Sequence, residues 1–153
     1  MDQPVSKLLE KRPGDLHTVE RDATVADAVR TMNEARVGAV AVMDKGHLAG
    51  IFTERDVLRR VVESHRNADE TPVAEVMTSD VVVIKPTDTV QHAMLLVNTR
   101  NCRHLPVMDG DTLVGMVSVR DLIGAVVDGQ EHRIAELTDY IYGGYGVQPR
   151  VDA

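Results

Sequence analysis

The chain has one cysteine, no tryptophan and one phenylalanine in 153 residues, and each scarcity removes a class of protein. With Cys102 alone no internal disulfide can form, so a cytoplasmic location is expected. Aromatic residues make up 3 % of the chain, too few for the stacking platforms that bind single-stranded nucleic acid. The 17 basic residues are outnumbered by 24 acidic ones and form no stripe, so nucleic acid is not expected as a partner. Apolar runs such as Val37–Met43 and Val81–Ile84 are too short to cross a bilayer, and no membrane association is expected. The first residues show no apolar run behind a basic start, so no secretory signal is expected either. The histidines at 17, 47, 65, 92, 104 and 132 never fall at i, i+3 or i, i+4 spacing, and no Cys/His cluster exists to hold a metal. A Walker A loop, GxGxxG and G-x-S-x-G are all missing, and no nucleophile–base pair has a recognisable context, so catalysis is not expected. Arg103 beside Cys102 is the one feature that favours a reactive thiol.

What the chain does have is a repeat. Thr24–Val62 lies over Thr89–Val127 at an offset of 65 without a gap, and 13 of the 39 aligned positions are identical. Such self-similarity sets the architecture before any local reading does. Val25, Ala28, Val29 and Met32 recur at i, i+3, i+4, i+7, as do Val90, Ala93, Met94 and Val97, which places one amphipathic helix in each copy. Thr24 with Asp27 has the form of a capping box. A β-rich stretch precedes each helix (Leu16–Val19; Val81–Ile84). A hairpin follows it: Val37–Met43 with Leu48–Phe52, and Cys102–Met108 with Leu113–Val117. Second helices start near Glu54 and Val119. Val5–Glu10 and Val73–Met77 read as short lead-in helices.

The expected fold is α+β (α/β layered): two β-α-β-β-α repeats plus a C-terminal helix. Repeat one spans 5–65, a charged linker 66–72, repeat two 73–128, and the helix and tail 129–146. A unit of about 60 residues buries little core alone, so the repeats should pack together. In the tail, Ile134, Leu137 and Ile141 fall at helical spacing among Tyr140, Tyr142 and Tyr145, with Gly143 and Gly144 as a stop. This helix either folds back on its own domain or crosses a dimer interface, where tyrosine is favoured.

Both hairpins end in the same motif, Gly50-Ile51-Phe52-Thr53-Glu54-Arg55-Asp56 and Gly115-Met116-Val117-Ser118-Val119-Arg120-Asp121. As Gly-h-x-[Thr/Ser]-x-x-Asp it is a helix cap, the hydroxyl taking a free amide and the acid complementing the dipole. The same groups suit a nucleotide. A carboxylate accepts hydrogen bonds from both hydroxyls of a ribose, a helix N-terminus favours phosphate, and glycine lets a ligand approach the backbone.

The tandem unit and its motif resemble a pair of CBS (cystathionine β-synthase) domains, the Bateman module, over roughly residues 5–128. The resemblance implies two copies packed about a pseudo-two-fold axis with two clefts for AMP, ADP, ATP, NAD(H) or S-adenosylmethionine. By it, Asp56 and Asp121 hold ribose hydroxyls, helped by Thr53 and Ser118. Cys102-Arg103-His104-Leu105-Pro106 lies over Val37-Gly38-Ala39-Val40-Ala41. The basic pair Arg103 and His104 resembles family members in which it lines the phosphates, since arginine clamps phosphate bidentately. The alternative is a solvated strand end. Gly38 and Ala39 correspond to positions that face an adenine edge in the family. Arg55 and Arg120, inside the motifs, are further phosphate candidates, although an outward arginine in a first helical turn is equally ordinary. The two clefts should therefore differ, and the sequence leaves open which Asp's ligand receives Arg103. With so few aromatic residues, adenine should lie between aliphatic side chains.

The function expected is a non-catalytic adenine-nucleotide sensor, homodimeric, that signals through its dimer shape to a separate regulated protein. The alternative is a dimerisation or interaction scaffold of the same fold with no nucleotide.

Overall fold

Thr24 starts the first long helix as the sequence requires. Its hydroxyl accepts from Asp27 N–H (3.1 Å) and the Asp27 carboxylate accepts from Thr24 N–H (3.2 Å), closing the capping box. The backbone and side-chain hydrogen bonds from Thr24 hold the Asp27 carboxyl below its ordinary pKa. The computed structural model describes residues 2–12, 14 and 16–143, with side chains through residue 139. Its elements run α1 (Val5–Glu10), β1 (Thr18–Glu20), α2 (Val25–Ala35), β2 (Ala39–Asp44), β3 (His47–Thr53) and α3 (Glu54–Asp56). A π-helical turn (Val57–Val62) and a 3-10 turn (Val73–Glu75) follow, then α4 (Val90–Thr99), β4 (His104–Asp109), β5 (Thr112–Ser118) and α5 (Val119–Gly143).

In copy one β1 pairs parallel with β2, and β2 antiparallel with β3. In copy two β4 and β5 form the matching hairpin, with the same register shift one residue into the outer half (Val42/Met43; Val107/Met108). β3 and β5 meet where the copies join. The turn of the first hairpin places Lys45 and Gly46 both at positive φ (49° and 82°), the backbone of a two-residue I′ loop.

The expected strand at Val81–Ile84 shrinks to one bridge, Ile84 with Val107. The cause is Pro106. Ala41 N–H donates to His17 O (3.1 Å) in copy one, whereas the aligned Pro106 has no N–H to give. Only Ile84 N–H to Pro106 O (3.0 Å) and Met108 N–H to Ile84 O (2.8 Å) remain.

The lead-in segments exchange copies. Val5 and Leu8 of α1 are buried with Ile84, Val90, Leu105, Val117 and Leu122 of copy two. Val73 and Val76 are buried with Val25, Met32, Val42 and Phe52 of copy one. Backbone bonds seal both docks: Val5 N–H to Asp88 O and Val90 N–H to Gln3 O on one side, Val25 N–H to Thr71 O and Val73 N–H to Ala23 O on the other. The first amides of a helix have no intrahelical partner, and these crossing segments supply their acceptors. The end of the charged linker is thus built in, with Thr71 buried.

The tail helix does not start afresh. α5 runs unbroken through Gly124 and Gly129 to Gly143, so the expected helix at 130–142 is the far half of one 25-residue element. Tyr145 and Gly144 lie outside the described residues, as do the side chains of Tyr140, Ile141 and Tyr142. Among the described residues no helix is long and apolar enough to cross a membrane.

Candidate functional site

The two motifs fold alike and end up in opposite states. In copy two, Ser118 caps α5: its hydroxyl accepts from Asp121 N–H (3.2 Å), and Ser118 N–H donates to Asp121 Oδ2 (2.8 Å). The other oxygen, Oδ1, lies 2.7 Å from Nη1 of Arg12, which arrives from the segment after α1. That contact supplies charge without an aligned hydrogen bond. Asp121 Oδ1 is the one buried side-chain oxygen or nitrogen among the described residues that lacks a hydrogen-bond partner. A buried acceptor without a donor is costly, and it is common where a ligand completes the set.

Asp56, at the same place in copy one, is saturated. Its Oδ2 accepts from Thr53 N–H (3.0 Å) and Thr53 Oγ1–H (3.2 Å). Thr78 Oγ1 lies 3.1 Å from Oδ1 and 3.3 Å from Oδ2, and Arg60 Nε stands 3.7 Å from Oδ1. Arg60 also donates to Met77 O (2.6 Å), so it ties the carboxylate to the crossing segment. Thr78 pairs with Ile51 through both backbone bonds (2.9 and 2.8 Å), which holds its hydroxyl against the Asp56 carboxylate. Asp56 is 6 % exposed. Gly50 is closed over as well, since a Cβ there would lie 2.7 Å from Met77 Sδ and from Thr78 O. Alignment of the copies shows the difference. Arg60 corresponds to Ala125, so in copy two the carboxylate meets its crossing segment through Arg12 instead.

Beside Asp121 opens a cleft of about 630 Å3. It takes Ser118, Arg120 and Asp121 from the copy-two motif, Arg103 and His104 from the start of β4, and Gly38 and Ala39 from copy one. The structure thus brings seven of the expected site residues together. Arg103 lines the same cleft as Asp121. Thr53, Arg55 and Asp56 lie apart from this cleft. Gly38 stands beside charge: a Cβ there would be 3.4 Å from Glu54 Cδ and 3.5 Å from His104 Cε1. Burial pushes the His104 imidazole below its ordinary pKa, against the pull of Glu54 and Asp121 and with the push of Arg103.

Four ionisable lining residues were not read from the sequence: Arg12, His17, Arg36 and Glu54. Arg36 carried a signal. It follows α2 in the left-handed conformation (φ 56°, ψ 43°), which costs a residue with a Cβ about 1 kcal/mol. The aligned residue in copy two, also at positive φ (50°), is Asn101, a side chain that tolerates this backbone.

A smaller pocket of about 150 Å3 adjoins the cleft and shares Arg12, Met116 and Asp121 with it. Its remaining walls are Leu9, Leu16, Val114 and Val117 around the backbone of Gly115 and Gly14. This is an aliphatic slot next to a carboxylate. Cys102 lies outside both spaces, half-buried, and burial pushes its thiol up, away from thiolate chemistry. Among the described residues no group of His, Cys, Asp and Glu could hold a metal ion.

Comparison with known proteins agrees with this architecture. The chain is 39 % identical over 129 residues to the CBS domain-containing protein CBSX3, mitochondrial, of Arabidopsis thaliana, covering 81 % of this chain and 63 % of that protein. A putative signal-transduction protein with CBS domains from Burkholderia ambifaria superposes with a TM-score of 0.79 at 37 % identity, covering 84 % of this chain and 96 % of that one. A CBS domain protein from Pyrobaculum aerophilum, solved in complex with AMP, matches with a TM-score of 0.70 at 28 % identity over 78 % of this chain and 89 % of its own. The CBS domain profile covers residues 5–63 and 73–128, and the chain belongs to the CBS domain family as a tandem pair.

Proposed function

We propose that the chain is a non-catalytic regulatory module that holds one adenine nucleotide, in the cleft at Asp121. The observation that carries this is the buried Asp121 Oδ1 without a hydrogen-bond donor, beside the Ser118 hydroxyl. A ribose diol supplies the missing donors. The base then takes the aliphatic slot of Leu9, Leu16, Val114 and Met116, where no aromatic side chain stands among the described lining residues. The phosphate end faces Arg103, His104 and Arg120 in the larger chamber. On this arrangement Gly38 and Ala39 leave room for the polar end of the ligand, next to His104 and Glu54, and the base lies elsewhere. The AMP complex of the Pyrobaculum relative supports the ligand class. Thr53 and Asp56 serve the fold: their motif holds the crossing segment through Thr78 and Arg60.

Exposed apolar side chains support a homodimer. Leu58 and Val62 are 65 % and 60 % exposed, and the aligned Ile123 and Val127 are 51 % and 47 % exposed. Two such pairs at repeat-related positions form a surface that a second copy can cover. Ligand occupancy would then bias the dimer shape read by a regulated protein, to the extent that the two shapes differ in affinity.

Isothermal titration calorimetry of nucleotide-stripped protein with AMP, ADP, ATP, NAD(H), S-adenosylmethionine and GTP tests the reading. Adenine ligands should bind at one per chain and the Asp121→Ala variant should bind none. Two per chain, or binding that survives D121A, refutes the assignment. Silence across the panel returns the protein to the scaffold reading.

A further inference from the structure

The cleft contains more positive charge than a monophosphate can use. Among the described residues, the guanidiniums of Arg36, Arg103 and Arg120 make no hydrogen bond and no ion pair, and all three line one cleft in a protein of net charge −7. Each guanidinium can bind two oxygens in a fork. A terminal phosphate has three free oxygens and a charge of about −2 at most, which two forks reach and neutralise. Arg103 and Arg120 come from copy two, as does Asp121, and Arg120 adjoins Asp121 in the chain. The phosphate attached to a ribose at Asp121 therefore meets those two first. Arg36 reaches the cleft from the end of α2 in copy one, and a second phosphate is what remains for it.

The backbone points the same way. Arg36 occupies a left-handed position at which copy two places Asn101, in nearly the same conformation (φ 56° against 50°). An arginine has no conformational advantage there, and strain of this kind concentrates where a side chain is needed for binding. We infer that Arg36 is a specificity-determining residue that makes the Asp121 cleft prefer adenosine di- and triphosphate over the monophosphate. The inference rests on the reading of that cleft as a nucleotide site.

The test is calorimetry with AMP, ADP and ATP on the wild-type chain, the Arg36→Asn variant and the Asp121→Ala variant. Asparagine is the replacement because the repeat already carries it on this backbone, so a thermal melt should show R36N folded. In the wild type, ADP and ATP should bind at least about tenfold more tightly than AMP, the scale of one lost charge-assisted contact. In R36N that ratio should collapse towards one. AMP binding as tightly as ADP in the wild type overturns the inference, and so does R36N weakening all three nucleotides equally. Loss of the ratio only on Arg103→Ala, with R36N unchanged, overturns it too. A flat phosphate series that still depends on Asp121 leaves the nucleotide site standing. Binding that ignores D121A, or no binding at all, removes both.

Discussion

Replacing each motif aspartate by alanine separates the two roles assigned to one sequence pattern. Asp56→Ala deletes the helix cap, about 1 kcal/mol, and strips half-buried Thr78 and the Arg60 guanidinium of their shared partner, about 2 kcal/mol more. Asp121→Ala deletes the same kind of cap and the ion pair of Oδ1 with the half-exposed Arg12, but no further hydrogen bond. Its cost is about 1.5 kcal/mol, of which the solvent-screened ion pair is the smaller part. For a chain of this length each kcal/mol moves the melting temperature by about 2–4 °C. D56A should therefore lower Tm by about 6–12 °C and D121A by about 3–6 °C in melts without ligand. Binding should show the reverse order, with D56A keeping its nucleotide when titrated well below its Tm and D121A losing it. Equal losses of Tm would falsify the saturated-and-orphaned distinction. A D56A protein that is stable but blind to nucleotide would move the site to copy one.

The paired glycines give a second contrast. Gly50→Ala drives a Cβ to 2.7 Å from the Thr78 carbonyl, which cannot give way cheaply, and should cost about 1–3 kcal/mol in urea denaturation. Gly115→Ala meets the flexible end of Leu9 at 2.6 Å and should cost less in stability, yet weaken nucleotide binding by crowding the aliphatic slot. Burial keeps His104 below its ordinary pKa, so the unfolded chain takes up a proton first as the pH falls. Stability should drop as pH falls below about 6.5, and His104→Gln should make that drop shallower. An unchanged slope counts against burial as the cause. If a phosphate sits by His104, bound ligand raises its pKa and affinity should improve as the pH falls through the same range. Leu58→Asp with Ile123→Asp should convert a dimer to a monomer in light scattering, and an unchanged mass places the interface elsewhere.

Much of the fold was legible in the sequence because it depends on period and on local chemistry. The apolar stripe of α2, the Thr24 box and the hairpin turns are written within a few residues of where they act. Arg103, His104, Arg120, Gly38 and Ala39 were named from the motif, the repeat alignment and the family resemblance, but which aspartate shares a cleft with Arg103 was not. What escaped is long-range. Thr78 reaches Asp56 across 22 residues, and the sequence of the Asp56 motif alone looks as competent as its twin. The crossing of Val5 and Val73 into opposite cores depends on chain path, which periodicity does not encode. Two signals were present in the alignment: Pro106 over Ala41, which removes a ladder bond, and Arg36 over Asn101, which places a costly side chain where a cheap one suffices.

The crossing lead-ins amount to an intramolecular swap. A fragment cut at the repeat boundary near residue 65 keeps α1, which belongs to the other core, and loses Val73 and Val76, which complete its own. Neither copy can therefore close its core alone, however well its sequence matches a domain. Two such fragments placed together in solution have everything required to rebuild the pair, each lending the other its missing wall.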